Sequence, residues 1–567
     1  MAKRIAITIA GAVSLGSYEA GVLYELMEAV RTNNEAATSD EQKIYVDVIT
    51  GASAGGMTAA MVSQRLMYDG KSLQGEFTNS LYQAWVERIS LLGLARMQRS
   101  ERKWHSLFSS DLIDRIGEEM LVKSMKEPGS GPHAAVELVN GVPETLRVGL
   151  ALTNLDGIDY MIPISGSDGG GFNYTSSLDQ KTFEVTPGGK ANAKQWREVC
   201  GAAVGSGAFP AAFRPKTIDH SVEEYGDRLP RDPKLWEPGK TYVDWRWKDP
   251  SAPFPHSDGG VLQNQPLGIA KNLVDEAVAS RAARLGQATN CDSSDRLYVF
   301  VSPNAVKSTA ENLHADRITI WAEMKHLVSV YMRQAMFHDW ITAEDMNQKI
   351  RVLDTRASEL GDVIIEGRVD VPSLAKAAAD LNGLLMADKA PARLARLREQ
   401  YSQKYDAVLA AAGEAAAEAF VGAIATLEAA GQLENRDRMK IVAVVADAQK
   451  ELAGAGLSAF AGFFKKSFRE HDYWVGRVKT RAYLQRADVK SILGVTEWPE
   501  EESWIRQPLA NPSGVTLPLS GWELARAAFV PGVIMVLIRP VLLVLFLIAL
   551  LLIGGGIRGL IWWLMHR

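Results

Sequence analysis

Apolar runs at the start of the chain alternate with glycine-bearing turns and amphipathic stretches. Residues 4–10 predict a strand, a turn carrying Gly11 and Gly16 follows, and residues 18–30 predict a helix. The order repeats at once: 45–50 read as a second strand, and a second helix begins near Met57. Further apolar strands are expected at 146–153 and 296–301. This β-turn-α alternation predicts an α/β unit with a mainly parallel central sheet flanked by helices. Residues 126–133 and 165–172 are loops by composition, and 220–255, rich in Pro, Trp and charge, predict an irregular insertion.

From about Asp316 the pattern becomes helical. Residues 373–431 carry Ala, Leu, Glu, Lys and Arg at helical spacing, interrupted at Pro391, which predicts helix–helix packing. A buried strand is expected at 439–445, then a small-residue helix over 452–464 and a basic, aromatic stretch over 465–485. The expected organisation is an α/β domain over 1–310, a helical extension over 311–520 whose late strand packs on that domain, and an anchor region over 527–567.

The anchor rests on residues 540–557, which contain no charged residue and are flanked by Arg539 and Arg558, with Trp562 and Trp563 beyond. About 17–25 apolar residues span the hydrocarbon core, and tryptophans favour its interface. A transmembrane segment with a core span of about 540–557 is therefore expected. The apolar stretch after Lys3 and Arg4 reads as a first strand rather than a signal peptide. That reading gives a membrane-associated protein, single-pass or tail-anchored, with its large N-terminal part in the cytoplasm.

Composition narrows the function classes. The 567 residues are 47% hydrophobic and 23% charged, as in a folded, multi-unit protein, and the formal net charge is -5. The absence of a basic excess argues against nucleic acid as a partner. With only two cysteines, Cys200 and Cys291, a disulfide framework or cysteine-rich zinc site is excluded. No metal-ligand spacing is visible, so neither metal nor cofactor is expected. Oligomeric state cannot be read from the chain.

The chemistry centres on Gly51-Ala52-Ser53-Ala54-Gly55, between the second strand and its helix. A serine at such an elbow projects its hydroxyl over the strand ends, with a helix N-terminus behind it to favour negative charge. Serine needs a base and an oxyanion site. The first turn, with Gly11, Ala12 and Val13, offers backbone N–H groups. Its glycines, Gly11, Gly16 and Gly21, are not spaced as a dinucleotide-binding G-x-G-x-x-G. Asp258-Gly259-Gly260 stands out later in the chain, either as an ordinary turn or as a carboxylate on a loop that can approach another closely.

Gly51–Gly55 around Ser53, the turn before it and Asp258-Gly259-Gly260 occur in the order found in the patatin-like phospholipases, which the chain resembles over roughly residues 4 to 305. Residues 18–23 are similar to the family's first helix and 203–210 to its small-residue segment, with weaker similarity through Gly462, Phe463 and Phe464 to Leu484. The resemblance implies a lipid acyl hydrolase with a membrane-lipid substrate. Ser53 would be the nucleophile, Asp258 the base, and amides near Gly11, Ala12 and Val13 the oxyanion hole, supported by Gly51, Gly55, Gly259 and Gly260. The family commonly has three consecutive glycines and a basic residue at the oxyanion turn; Ala12, Val13 and Leu15 depart from that. Two other readings compete: a Ser-His-Asp esterase drawing on His314, His326, His338, His471 or a local His256, and a membrane-anchored scaffold with weak or no activity.

Overall fold

The structure is a computed structural model. It describes residues 2–526 except 97–100, 102–105, 126–134, 140–141, 165–169, 186–191, 247, 250–252, 286–295, 305–319, 387–389, 432, 434–438 and 524. The loop expected at 126–133 and the apolar segment 540–557 therefore lie outside the described residues. Among the described residues, no helix is long and apolar enough to cross a membrane.

The architecture is a nine-stranded mixed sheet with helices on its faces. Its strands are β1 (Lys3–Ile9), β2 (Ile44–Gly51), β3 (Leu146–Pro163), β4 (Gly171–Val185), β5 (Lys216–Ile218), β6 (Tyr242–Val243), β7 (Phe254–Asp258), β8 (Arg296–Ser302) and β9 (Ile441–Val445). The path runs β9-β8-β1-β2-β3-β7-β5, with β4 and β6 also paired to β3. From β9 to the start of β3 every pairing is parallel; those of β4, β6 and β7 with β3 are antiparallel, as is β5 with β7. The mainly parallel sheet expected from the sequence is thus only its parallel half.

The cause is β3, which runs on well beyond the expected 146–153. One edge carries β4 along most of its length; the other pairs in turn with β2 at 147–150, β7 at 152–154 and β6 at 160–161. The strands β1, β2 and β8 are buried almost throughout, as a two-sided sheet requires. The one acid in β2, Asp47, is tolerated because Arg296 donates to it from β8 (Nη2–Oδ2 2.8 Å), with Arg4 of β1 at 3.4 Å. These guanidinium groups hold its carboxyl below the usual range despite burial.

Helix α1 (Gly16–Ala36) follows β1, and α2 (Ala54–Tyr68) follows β2. Further along, α3 (Ala193–Ser206) packs on α2, and α4 (Leu267–Leu285) covers the other face. The helical region is a pack of Ile320–Ile365, Val371–Met386, Ala390–Gln400, Ser402–Ala412 and Glu414–Ala430, with its own core around Ala357, Leu397, Val408, Phe420 and Ile424. Pro391 sits in the first turn of its helix, where a missing N–H is harmless.

The chain then returns to the sheet. The strand read at 439–445 is the edge strand β9, and α5 (Lys466–Leu484) lies along α1. Contact there is close enough that a Cβ on Gly21 or Gly476 would overlap the carbonyl oxygen of Tyr473 or Tyr18. Glu25 of α1 joins the pair by accepting from Arg477 (2.6 Å) and Arg481 (3.3 Å). Between β9 and α5 the continuous helix expected over 452–464 is replaced by short turns. Gly454, Gly456 and Gly462 and a left-handed Ala459 (φ 67°) break it, and the segment folds against the turn after β1.

Candidate active site

Strands β2 and β7 end head to head on one edge of β3. Gly51 is paired with Leu150 and Asp258 with Leu152, so the two strand ends are separated by a single residue of β3, Ala151. Chain leaving β2 turns into α2 through Ser53, and chain leaving β7 turns at Gly259. A Cβ on Gly259 would overlap the carbonyl oxygen of Ala151, which is why glycine follows Asp258.

Ser53 adopts φ 54°, ψ -127°, a strained conformation for a non-glycine residue and the geometry of a strand–helix elbow. Its Oγ donates to Asp258 Oδ2 at 2.6 Å. The amide of Ser53 donates to Ser206 Oγ (3.0 Å), and that hydroxyl donates onward to Ala151 O (2.7 Å), pinning elbow, α3 and β3 together. Gly55 is needed because a Cβ there would come within 2.5 Å of the carbonyl oxygens of Ile9 and Ala10. Gly51 has a similar constraint against the carbonyl of Gly55.

Asp258 is 1% exposed and Ser53 6%. The other carboxylate oxygen, Oδ1, accepts the amide of Gly260 (2.7 Å), and Thr153 Oγ1 donates to the Asp258 carbonyl (2.8 Å). Burial pushes the Asp258 carboxyl up to about 7, with the Ser53 and Gly260 hydrogen bonds offsetting part of the rise. A base poised there is matched to neutral solution.

The turn after β1 borders the same space. A Cβ on Gly11 would lie 3.1 Å from Ser53 Cβ. The Gly11 amide donates to Asn264 O (3.0 Å), so it is already engaged. The amides of Ala12 and Val13 make no backbone hydrogen bond among the described residues. Val13 has φ 52°, a left-handed conformation costly for a β-branched side chain. The turn is braced from behind: Ser14 Oγ donates to Ala459 O, and buried Asp472 accepts the amides of Ala453 (2.7 Å) and Gly454 (2.9 Å) under Leu15.

The candidate histidines whose side chains are described, His256 and His471, lie elsewhere. His256, two residues before Asp258, places Nε2 on Asp179 Oδ2 (2.9 Å) and Nδ1 on Phe254 O (2.9 Å), not on the serine or its carboxylate. His471 bonds Glu451 O and Asn511. His314 lies outside the described residues, and the side chains of His326 and His338 are not among those described. Sequence reasoning missed Ser206, Thr153 and the Asn264 carbonyl. Ser206 lies within the small-residue segment 203–210, but only the fold shows that its hydroxyl meets the elbow.

An α/β sheet presenting a serine at a strand–helix elbow has the architecture of a serine hydrolase. Residues 7–271 match the patatin-like phospholipase family. That likeness points to a hydrolase. Uncharacterized protein y4iI of Sinorhizobium fredii (strain NBRC 101917 / NGR234) is 23% identical over 362 residues, which cover 53% of this chain and 49% of that relative. The chain thus spans about half the length of the curated relative it matches.

Proposed function

We propose that the protein is a lipid acyl hydrolase in which Ser53 and Asp258 form the catalytic dyad. The observation that carries this reading is the 2.6 Å bond from Ser53 Oγ to a buried carboxylate whose basicity burial raises to about 7. Ser53 Oγ attacks the ester carbonyl carbon while its proton passes to Asp258. The amides of Ala12 and Val13 receive the oxyanion, a role in which one donor is typically worth roughly 3–4 kcal/mol. Collapse breaks the ester C–O bond, and Asp258 returns the proton to the departing alcohol. Water then attacks the acyl-Ser53 ester with Asp258 again as base, releasing the fatty acid and restoring the serine.

The apolar surroundings suit an acyl chain. Met57, one turn along α2 from Ser53, lines an apolar cavity with Met61, Trp85, Ile113, Met120 and Val204. Flexible methionines there can shift to admit a chain. The charge-free segment 540–557 supports action at a membrane surface, with the bilayer held through the C-terminal segment and the N-terminal part cytoplasmic.

The test is hydrolysis of phospholipid vesicles by purified protein, with and without the residues after Ser520. Fatty acid release by the full chain, absent in Ser53→Ala and reduced on vesicles by the truncation, is the expected result. A folded full chain that releases no fatty acid from any acyl ester overturns the reading.

A further inference from the structure

A second cluster of chemically capable side chains lies further along β3 from the elbow, where His256 pairs with Asn154. Asp179 of β4, His220 after β5 and His256 of β7 offer one ligand atom each, all within 4.8 Å of one another. They are separated by 41 and 36 positions in the sequence (220 − 179 and 256 − 220), so no spacing motif announces them. All three side chains are buried, that of His220 to 1% exposure.

The hydrogen bonds at the outer edge of the cluster fix the rings. His220 Nδ1 meets Glu224 Oε2 (2.8 Å), and His256 Nδ1 meets Phe254 O (2.9 Å). Both partners are pure acceptors, so both rings place a proton on Nδ1 and, when neutral, a lone pair on Nε2. Those two lone pairs converge on one carboxylate oxygen: Asp179 Oδ2 lies 2.9 Å from His256 Nε2 and 3.9 Å from His220 Nε2. Three acceptors facing one another repel unless a cation or additional protons lie among them. His220 Nε2 is moreover buried with no hydrogen-bond partner, a costly state for a polar atom.

We propose that Asp179, His220 and His256 bind a divalent transition-metal cation, zinc in the first instance, through Asp179 Oδ2 and the two Nε2 atoms. Zinc bonds of roughly 2.0–2.2 Å in a tetrahedral shell place ligand atoms about 3.4 Å apart, a value the 2.9 and 3.9 Å separations straddle. Two imidazoles and a carboxylate suit zinc better than calcium or magnesium, which prefer all-oxygen shells. The outer partners are those metal-bound side chains commonly have. Glu224 and the Phe254 carbonyl orient the imidazoles, while Tyr225 Oη (3.0 Å) and Asn154 Nδ2 (3.2 Å) donate to Asp179 Oδ2 itself and the Gln180 amide to Oδ1 (2.7 Å). The fourth position falls to water. The cation ties β7 to β4 and to the turn after β5, two residues from Asp258, so its role is to fix the strand that carries the base.

The experiment uses the full chain, stripped with chelator and titrated with Co2+ as a spectroscopic probe and with Zn2+ in competition. One equivalent of Co2+ should bind with the strong visible bands of a four- or five-coordinate site, and Zn2+ should displace it and raise the melting temperature. His220→Ala keeps the His256–Asp179 contact and should abolish the bands while circular dichroism is retained. Glu224→Gln, which touches no metal, should weaken binding about 10–100-fold. Absence of a stoichiometric Co2+ spectrum in folded wild type overturns the proposal, the two rings then carrying protons of their own. Binding unchanged in a folded His220→Ala variant overturns it equally.

Discussion

The hydroxyl of Ser53 donates to Oδ2 of Asp258 across 2.6 Å, although the two residues stand 205 positions apart in the chain. They meet because β2 and β7 approach from opposite directions along the same edge of β3 and stop one residue short of each other. The pair is thus positioned by strand register, and the chemistry proposed for it follows from how deeply that junction is buried.

A base held at about 7 fixes the pH profile. Below that value Asp258 is protonated and cannot accept the serine proton, so kcat/KM should fall about tenfold per pH unit below 7 and level off above it. A carboxyl ionises with little enthalpy, so the inflection should hardly move with temperature; one that shifts strongly would identify an imidazole as the base. Steady-state kinetics on a soluble acyl ester at two temperatures makes the measurement.

The same group carries a stability cost. Asp258 has a folded pKa of about 7 against an ordinary 3.8, so the unfolded chain releases its proton first as pH rises. Its contribution to stability is full below about 4 and lost as pH climbs through 7. Asp258→Asn cannot ionise and should be inactive but more stable than wild type at pH 8, by on the order of 2–4 kcal/mol. At pH 4 the difference should largely vanish. Denaturant unfolding at the two pH values reads both.

Val13 sits at φ 52° where a glycine would be unstrained. A left-handed backbone costs a side-chain-bearing residue roughly 1–2 kcal/mol, offset in part by the flexibility of glycine when unfolded. Val13→Gly should therefore stabilise the protein by about 0.5–1 kcal/mol and keep kcat/KM at or above the wild-type value. A loss of activity in this variant would show that the valine side chain itself shapes the site.

Ser206 holds the elbow from beneath, accepting from Ser53 N and donating to Ala151 O. Ser206→Ala leaves a buried amide and a buried carbonyl each short of a partner, costing about 1–3 kcal/mol of stability. Because the elbow loosens, kcat should drop about tenfold or more with KM little changed. Unfolding curves and kinetics on one preparation separate the two effects.

The first two β-turn-α units, the elbow and the residues Ser53 and Asp258 are legible in the sequence because periodicity, glycine placement and local motif agree there. The antiparallel half of the sheet is not. Residues 154–163 follow Thr153 through Asn154, Asp156 and Gly157, which interrupt the apolar run, yet β3 continues through them because β4 pairs along it. Residues 452–464 look helical by composition, but Gly454 and Gly462 are there for close packing against Leu15 and Ser14, a tertiary demand no local pattern reveals. The engagement of the Gly11 amide by Asn264 O depends in the same way on two distant loops, while the amides of Ala12 and Val13 make no backbone hydrogen bond among the described residues.

Active-site labelling with a fluorophosphonate probe, read by mass spectrometry of the modified peptide, tests the dyad most directly. Folded wild type should gain one covalent adduct, on Ser53, at a rate that rises with pH through about 7. Ser53→Ala should gain none, and Asp258→Asn should label at least about 10²-fold more slowly. An unlabelled but folded wild type, or an adduct that persists in Ser53→Ala, would contradict the assignment.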